Sequence, residues 1–104
     1  MNTLEKLNTT ITTRKGASSK SSYTAKLLSE GPEKCAKKFG EESFELALAA
    51  VLGNKANTAS EAADVLYHLL VLLHSADVPL ASVMAVLEKR EGTSGLEEKA
   101  NRNG

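Results

Sequence analysis

An all-α fold is predicted for this chain by three features of its sequence. Apolar residues recur every three or four positions through much of its length, which is the spacing of one face of a helix. Residues that favour helix starts stand at Ser22 and Pro32, and residues that favour helix ends stand at Gly31 and Gly53. The second half of residues 62–73 is apolar almost all round, as in a helix buried on every side. We therefore predict a small helical bundle.

Length and composition limit the architecture and the partners. One domain, residues 1–104, is expected, and a chain of this size buries only about two-thirds of its unfolded surface, so a homodimer is predicted to complete the core. Thirteen basic and thirteen acidic residues cancel, so no overall field favours nucleic acid or an anionic membrane. The single cysteine, Cys35, excludes an internal disulfide. Without an apolar leader or a stretch approaching about 18 apolar residues, a cytoplasmic protein is expected.

The first predicted helix spans residues 3–14. Its apolar stripe, which includes Leu7 and Ile11, is thin, so this helix should lie against a larger body. Residues 1–16 are accordingly expected to form a peripheral helix. A polar, glycine- and serine-rich loop follows at residues 16–22.

A short and a long helix are predicted next. Ser22 can cap a helix over residues 23–30. Pro32 suits the first turn of a long helix over residues 32–52, which Gly53 should end because glycine tolerates a positive φ.

The start of the fourth helix is open between two alternatives. Thr58 and Glu61 form the pattern of a capping box, in which the carboxylate of Glu61 reaches back to the amide of Thr58. A start at Ser60 would instead free Glu61 in the first turn. The apolar second half of this helix favours the centre of a bundle formed across a dimer.

A fifth helix is predicted to run from about Pro79 to Arg90, with Asp77 as a possible cap. Its apolar residues are expected to face inward, namely Val78, Val83, Val86 and Leu87. Residues 91–104 form a polar tail that is expected to be mobile.

Two groups of acidic residues lie beside the apolar faces of the third and fourth helices. Glu41, Glu42 and Glu45 share one side of a helix, and Glu61 and Asp64 repeat the spacing. Two carboxylates about 5 Å apart repel by roughly 3 kcal/mol at an effective dielectric of about 20. Such groups either face water or hold a cation. Their apolar surroundings favour a hard divalent ion with oxygen ligands, and Mg²⁺ is the usual one.

One ion can serve both acidic groups only if the chain folds back between them. A third helix that ends at Gly53 leaves residues 53–57 to make the return, and these can span roughly 16 Å. An antiparallel helix pair with facing carboxylates is therefore allowed.

Basic residues on the third helix have two interpretations. Lys34 and Lys38 lie one turn apart beside the acids, and cations next to a bound metal suit a polyphosphate. The same lysines could simply form surface ion pairs with Glu41 and Glu42. Gly40 indicates either the close approach of a neighbouring backbone or ligand, or a packing glycine.

Two histidines occupy the fourth helix. His68 follows Asp64 by one turn, so it is either a hydrogen-bonded core residue or a residue that supports the metal or substrate. His74 is interpreted as a surface residue near the helix end.

The acidic pattern Glu41-Glu42-x-x-Glu45 followed by Glu61-x-x-Asp64 resembles that of the all-α nucleotide pyrophosphohydrolases of the MazG type. A closer resemblance, to the phosphoribosyl-ATP pyrophosphatase family, covers nearly the whole chain. It is carried by four stretches: Ser22–Leu27, Lys37–Glu42, Glu61–His68, and Ser94-Gly95-x-x-Glu98-Lys99-Ala100.

This resemblance implies a helical dimer that hydrolyses phosphoribosyl-ATP to phosphoribosyl-AMP and pyrophosphate in the second step of histidine biosynthesis. It implies Mg²⁺ as the metal, with Glu42, Glu45, Glu61 and Asp64 as ligands. Glu41 would lie beside them as a supporting group, a ligand of another ion, or the base that orients water.

The chemistry of phosphoric anhydride hydrolysis, which needs donors for the leaving group, suggests substrate contacts. Lys34 and Lys38 would stabilise the departing pyrophosphate. Candidates for contact with the nucleobase, the ribose and the 5′-phosphate are Ser22, Tyr23, Lys26, His68, Arg90, Lys99 and Arg102.

Three alternatives share parts of this pattern. A house-cleaning enzyme acting on free or damaged dNTPs would use the same metal and reaction on another substrate. A non-catalytic helical dimer could bind a divalent ion or a partner helix. A di-iron carboxylate bundle fits poorly, because those sites use Glu-x-x-His pairs and His68 follows Asp64 by four residues.

Overall fold

Helices make up all the regular structure of residues 2–20 and 22–91, which are the residues that the computed structural model describes. The described part therefore confirms the all-α class. The five helices, in order, are α1 (Thr3–Arg14), α2 (Tyr23–Glu30), α3 (Pro32–Leu52), α4 (Lys55–Ser75) and α5 (Leu80–Arg90).

The first three helices begin and end where the sequence predicts. The amide of Ala25 donates to the hydroxyl of Ser22, 3.1 Å away, and so caps α2. Pro32 occupies the first turn of α3, where its missing N–H costs nothing. Gly31 and Gly53 end α2 and α3 with φ angles of 91° and 78°, values that a residue with a Cβ rarely adopts.

The start of α4 differs from both predicted alternatives. Asn54 caps this helix by accepting from the amide of Asn57 at 2.9 Å, so α4 begins at Lys55, one turn earlier than expected. The amide of Thr58 donates to the carbonyl oxygen of Asn54 instead of to Glu61. The capping-box interpretation is therefore wrong, and Glu61 lies in the second turn with its carboxylate available for another role.

The core lies where α1, α2, α3 and α4 meet. Its five fully buried residues come from all four helices and are at most 2% exposed: Ile11, Leu27, Cys35, Leu70 and Val71. The most extensive contact between helices joins α3 and α4, which are separated by only Gly53 and Asn54. The two helices that carry the acidic residues are thus held together along their length.

Several apolar faces have no cover within the described chain. No residue of α5 is buried, and Val86 and Leu87 are about half exposed, so the prediction that they face inward is wrong for this chain alone. Val78 is also exposed, and Val83 is only partly buried. The outer face of α3 is similar, because Phe44 is 69% exposed and Val51 83%.

The surroundings of His74 also correct a prediction. Its Nε2 lies 2.9 Å from Oδ1 of Asn8 and 3.5 Å from Oγ1 of Thr12, so His74 joins the end of α4 to α1. It is partly buried and does not behave as a free surface residue.

No single helix among the described residues is long and apolar enough to cross a membrane. Helices α4 and α5 reach the length and apolar composition of a membrane span only when they are counted together, and the chain bends by 112° between them.

Candidate metal and nucleotide site

Three carboxylates from α3 and α4 converge on one point. Glu42 and Glu45 lie one turn apart on α3, and Glu61 faces them from the second turn of α4. Each offers an oxygen atom within 4.8 Å of the oxygens of the other two. The structure thus brings together residues from both acidic groups of the sequence.

The electrostatics of this cluster are unfavourable in the protein alone. Burial raises the pKa of Glu61 above its ordinary value, and the charges of Glu45 and Asp64 raise it further. A proton shared with Glu45 also raises the pKa of Glu61. When both groups are ionised, the buried Oε2 of Glu61 has no hydrogen-bond partner among the described residues.

Glu42 experiences a similar field. Burial raises its pKa, followed by the charges of Glu45, Asp64 and Glu61, while the Lys38 ammonium lowers it. An all-oxygen donor set with an unpartnered buried oxygen suits a hard divalent cation, because the cation would cancel the repulsion and satisfy that oxygen. The residues present therefore fit a Mg²⁺ site.

The other two predicted acids lie at the edge of the cluster. Asp64 is exposed and is not among the three converging carboxylates, yet its charge raises the pKa of both Glu42 and Glu61, which places it nearby. Glu41 is exposed, and its Oε2 lies 3.7 Å from Nζ of Lys38. Glu41 is thus paired with a lysine and does not join the converging group.

One of the two predicted lysines is close to the acids. Lys38 is partly buried, pairs with Glu41 and acts electrostatically on both Glu42 and His68. The predicted ion pair between Lys38 and Glu41 is present. Lys34 lies one turn earlier on α3, partly buried, and its part in binding stays a prediction.

His68 is only 6% exposed and is packed between aromatic rings. The rings of Tyr67 and Tyr23 meet it edge-on, with centroids at 5.0 Å and 6.5 Å. Burial lowers the pKa of His68, as does Lys38, against smaller opposing effects of Asp64 and Glu41. Its Nδ1 is buried and has no hydrogen-bond partner in the described chain. The prediction of a core histidine therefore holds for burial, but this nitrogen is not hydrogen-bonded.

The remaining substrate candidates are spread more widely. The hydroxyl of Ser22 is engaged in capping α2. Tyr23 and Lys26 are exposed on the same helix, and the ring of Tyr23 meets the ring of His68. Arg90 is exposed in the last turn of α5, and its role stays a prediction. Lys99 and Arg102 lie outside the described residues.

Sequence reasoning missed one polar contact beside this site. Oγ1 of Thr24 and Oη of Tyr67 are hydrogen-bonded and join α2 to α4. Because these residues are 43 positions apart, no local pattern could pair them. The sequence offered one signal: Thr24 follows Tyr23 and Tyr67 precedes His68, and both of these neighbours are candidate site residues.

Comparison with known proteins agrees with the geometry. Residues 4–91 match the model of the family described as phosphoribosyl-ATP pyrophosphohydrolase. A phosphoribosyl-ATP pyrophosphatase of Cereibacter sphaeroides strain ATCC 17029 is 65% identical over 102 residues, which is 98% of this chain and 99% of that protein. Proteins of the same name from Dinoroseobacter shibae and Paracoccus denitrificans are 61% and 58% identical, covering 98% and 95% of this chain and 100% and 92% of their own lengths. The chain belongs to the phosphoribosyl-ATP pyrophosphohydrolase family.

Proposed function

We propose that this chain hydrolyses phosphoribosyl-ATP to phosphoribosyl-AMP and pyrophosphate, the second step of histidine biosynthesis, in the cytoplasm. The observation that supports this most is the convergence of Glu42, Glu45 and Glu61 within 4.8 Å, with one buried oxygen unpartnered. The named relatives, similar over nearly their full lengths, support the choice of substrate.

The metal ligands proposed are Glu42, Glu45, Glu61 and Asp64. Mg²⁺ bound there would neutralise charge on the phosphoryl oxygens and lower the pKa of a water molecule. Glu41, which pairs with Lys38, is proposed to orient that water or accept its proton.

Positive charge for the leaving group is proposed to come from Lys38 and Lys34. Lys38 already stands among Glu41, Glu42 and His68, so a pyrophosphate that reaches the acids would come within its field. The rest of the substrate is assigned to Ser22, Tyr23, Lys26 and His68. For the 5′-phosphate of the phosphoribosyl group, Arg90, Lys99 and Arg102 remain candidates.

A homodimer is proposed to cover the apolar face of α3. Phe44, Leu48, Val51 and Leu52 are each about half exposed or more, which is an unusual amount of apolar surface for one helix of a free monomer. A second copy packed against this face would also complete the small core of the chain.

The test is pyrophosphate release from phosphoribosyl-ATP by the purified protein, measured with and without Mg²⁺. We expect Mg²⁺-dependent turnover and much slower release from dATP and other plain nucleotides. Glu45→Gln should abolish turnover, whereas Glu33→Gln, an exposed acid in the first turn of α3, should leave it unchanged. Equal rates on dATP would support a house-cleaning enzyme, and an inactive but folded dimer would contradict the proposal.

A further inference from the structure

Two hydroxyl groups link α2 to α4 at Tyr67, one residue before His68. Oγ1 of Thr24, in the first turn of α2, is hydrogen-bonded to Oη of Tyr67 on α4. Both residues are partly buried, so water competes little for this bond. Among the described residues, this is the side-chain hydrogen bond that joins α2 to α4.

Tyr67 is the anchored partner of this pair. Its ring packs against the buried core cluster and meets the ring of His68 edge-on. Burial raises the pKa of its phenol, and either of the two hydroxyl groups can donate in the bond. Thr24 is consequently the group that the bond holds in place.

Tyr23 is the immediate neighbour of Thr24 in α2. The ring of Tyr23 is 53% exposed, and its centroid lies 6.5 Å from that of His68. His68 is one turn, about 6 Å, beyond Asp64 along α4. Tyr23 therefore presents an open aromatic face a short distance beyond the proposed phosphate site.

Such a face suits a nucleobase. A base gains affinity by stacking on an aromatic side chain, and a ring that is already held in the stacking orientation loses less entropy when the base binds. Of the four Phe and Tyr residues, all of which are described, Phe44 is also exposed, but it belongs to the uncovered apolar face of α3. Tyr23 is the exposed ring that adjoins His68.

We propose that Thr24 and Tyr67 are positioning residues, whose mutual hydrogen bond holds Tyr23 where its ring stacks on the adenine of the substrate. This inference rests on the proposed function and extends it, because it assigns the nucleobase end of the site. Neither Thr24 nor Tyr67 needs to touch the reacting phosphates.

Kinetics of matched variants test the proposal. Tyr67→Phe and Thr24→Val each remove one hydroxyl and keep the shape of the side chain. We expect each to raise KM for phosphoribosyl-ATP about tenfold and to leave kcat within twofold, because stacking would be lost equally in ground and transition states. Thr24→Ser keeps the hydroxyl and should retain the native KM. Unchanged KM in Tyr67→Phe, with only a lower Tm, would overturn the proposal.

A double-mutant cycle checks that the bond acts through Tyr23. Tyr23→Leu removes the aromatic face and should itself raise KM about tenfold. In that background Tyr67→Phe should cause no further rise, since nothing remains to be oriented. A further tenfold rise would show that Tyr67 acts by another route and would contradict the inference.

Calorimetric binding of AMP separates this inference from the proposed function. If the wild-type protein releases no pyrophosphate but binds AMP, and Tyr67→Phe weakens that binding about tenfold, the proposed reaction fails and the positioning role stands. If AMP binding is equal in the two proteins, the positioning role fails whatever the reaction. Absence of AMP binding by the wild type would overturn the assignment of the nucleobase end.

Discussion

The two ends of α4 carry polar clusters that differ in whether their groups have partners. Near the start of the helix, Glu61 meets Glu42 and Glu45, which bear the same charge, and one buried oxygen is left without a hydrogen bond in the described chain. Near the end of the helix, His74 contacts Asn8 at 2.9 Å. Beside that contact, opposite charges pair between Lys15 and Asp77 at 3.3 Å.

This difference distinguishes a structural contact, whose groups are satisfied within the chain, from a site whose groups need an external ligand. The cluster around His74 satisfies its own groups and joins α1 to α4, even though a cavity of about 390 Å³ adjoins it. The cluster around Glu61 has charges of one sign and an unpartnered oxygen, so an external cation would stabilise it. Whether the polar groups of a cluster have partners within the chain is thus a better guide to function here than the presence of a cavity.

The largest expected effect comes from removing one carboxylate of the acidic cluster. Glu61→Gln should lower kcat for phosphoribosyl-ATP by about 100- to 1,000-fold, because the loss of a metal ligand removes several kcal/mol of charge stabilisation. The same change should raise or leave unchanged the Tm of the metal-free protein, since it removes repulsion at a residue whose pKa is raised. Turnover and thermal unfolding measure the two effects.

Asp77→Asn provides the matched control at the other end of α4. This change breaks the exposed pair with Lys15, so we expect unchanged turnover and a loss of stability below about 1 kcal/mol. Equal losses of activity in Glu61→Gln and Asp77→Asn would remove the distinction between the two clusters.

Addition of Mg²⁺ should stabilise the protein through the acidic cluster. At a concentration of about 100 times Kd, a ligand that binds only the folded state adds about 2.7 kcal/mol to the free energy of unfolding. EDTA should reverse the gain, and Glu61→Gln should reduce it. Because the pKa values of Glu42 and Glu61 are raised, protons compete with the metal, and the gain should shrink as the pH falls from 7 toward 5. A gain that is independent of both pH and Glu61 would place the ion elsewhere.

In the metal-free protein, the two clusters should make the free energy of unfolding depend on pH in opposite directions. Glu42 and Glu61 have raised pKa values in the folded state, so their contribution is greatest at low pH and is lost as the pH rises above about 4.3, the ordinary value. His74 has a pKa lowered by burial and by Lys15, so its contribution is present above about pH 6.5 and is lost as the pH falls.

Variants can separate these two dependences of stability on pH. His74→Gln removes the titrating group, so its stability should fall less than that of the wild type between pH 6.5 and pH 5. His68, whose pKa is also lowered, remains in both proteins and therefore cancels in the comparison. Denaturant unfolding at several pH values measures the difference, and parallel curves for the two proteins would contradict the burial of His74.

The last expected effect, on stability alone, is at Gly40, next to Glu41. A Cβ built on Gly40 would meet nothing within 4 Å, so the described chain gives no neighbouring backbone and no packing reason for a glycine here. Gly40→Ala should raise the free energy of unfolding by about 1 kcal/mol, because alanine is the better helix former. If turnover falls while stability rises, the open space serves a bound ligand.

Local signals account for the parts of the fold that the sequence predicts well. Ser22, Pro32 and Gly53 act on their own helix ends, so their side chains and φ angles determine the boundaries directly. The start of α4 was missed because two capping patterns compete within five residues. Asn54 prevails over the Thr58–Glu61 pattern, and both patterns look equally good to a local rule.

Non-local partners account for what the sequence does not predict. The bond between His74 and Asn8 spans 66 residues, and that between Thr24 and Tyr67 spans 43. No spacing rule pairs residues so far apart. For the convergence of Glu45 with Glu61, the length of the connection showed only that it is allowed, and the family resemblance supplied the ligand set; the structure brings the two carboxylates together. The apolar face of α5 is predicted to face inward but is exposed, since apolar periodicity does not say which chain provides the cover.

The central claim, that α3 and α4 hold one divalent ion between their carboxylates, is tested most directly by diffraction. Crystals grown with Mn²⁺ in place of Mg²⁺ would locate the ion by its anomalous signal. We expect a peak between the two helices, about 2.1–2.2 Å from oxygens of Glu42, Glu45 and Glu61. Full occupancy at another position, with these three carboxylates facing only water, would contradict the account.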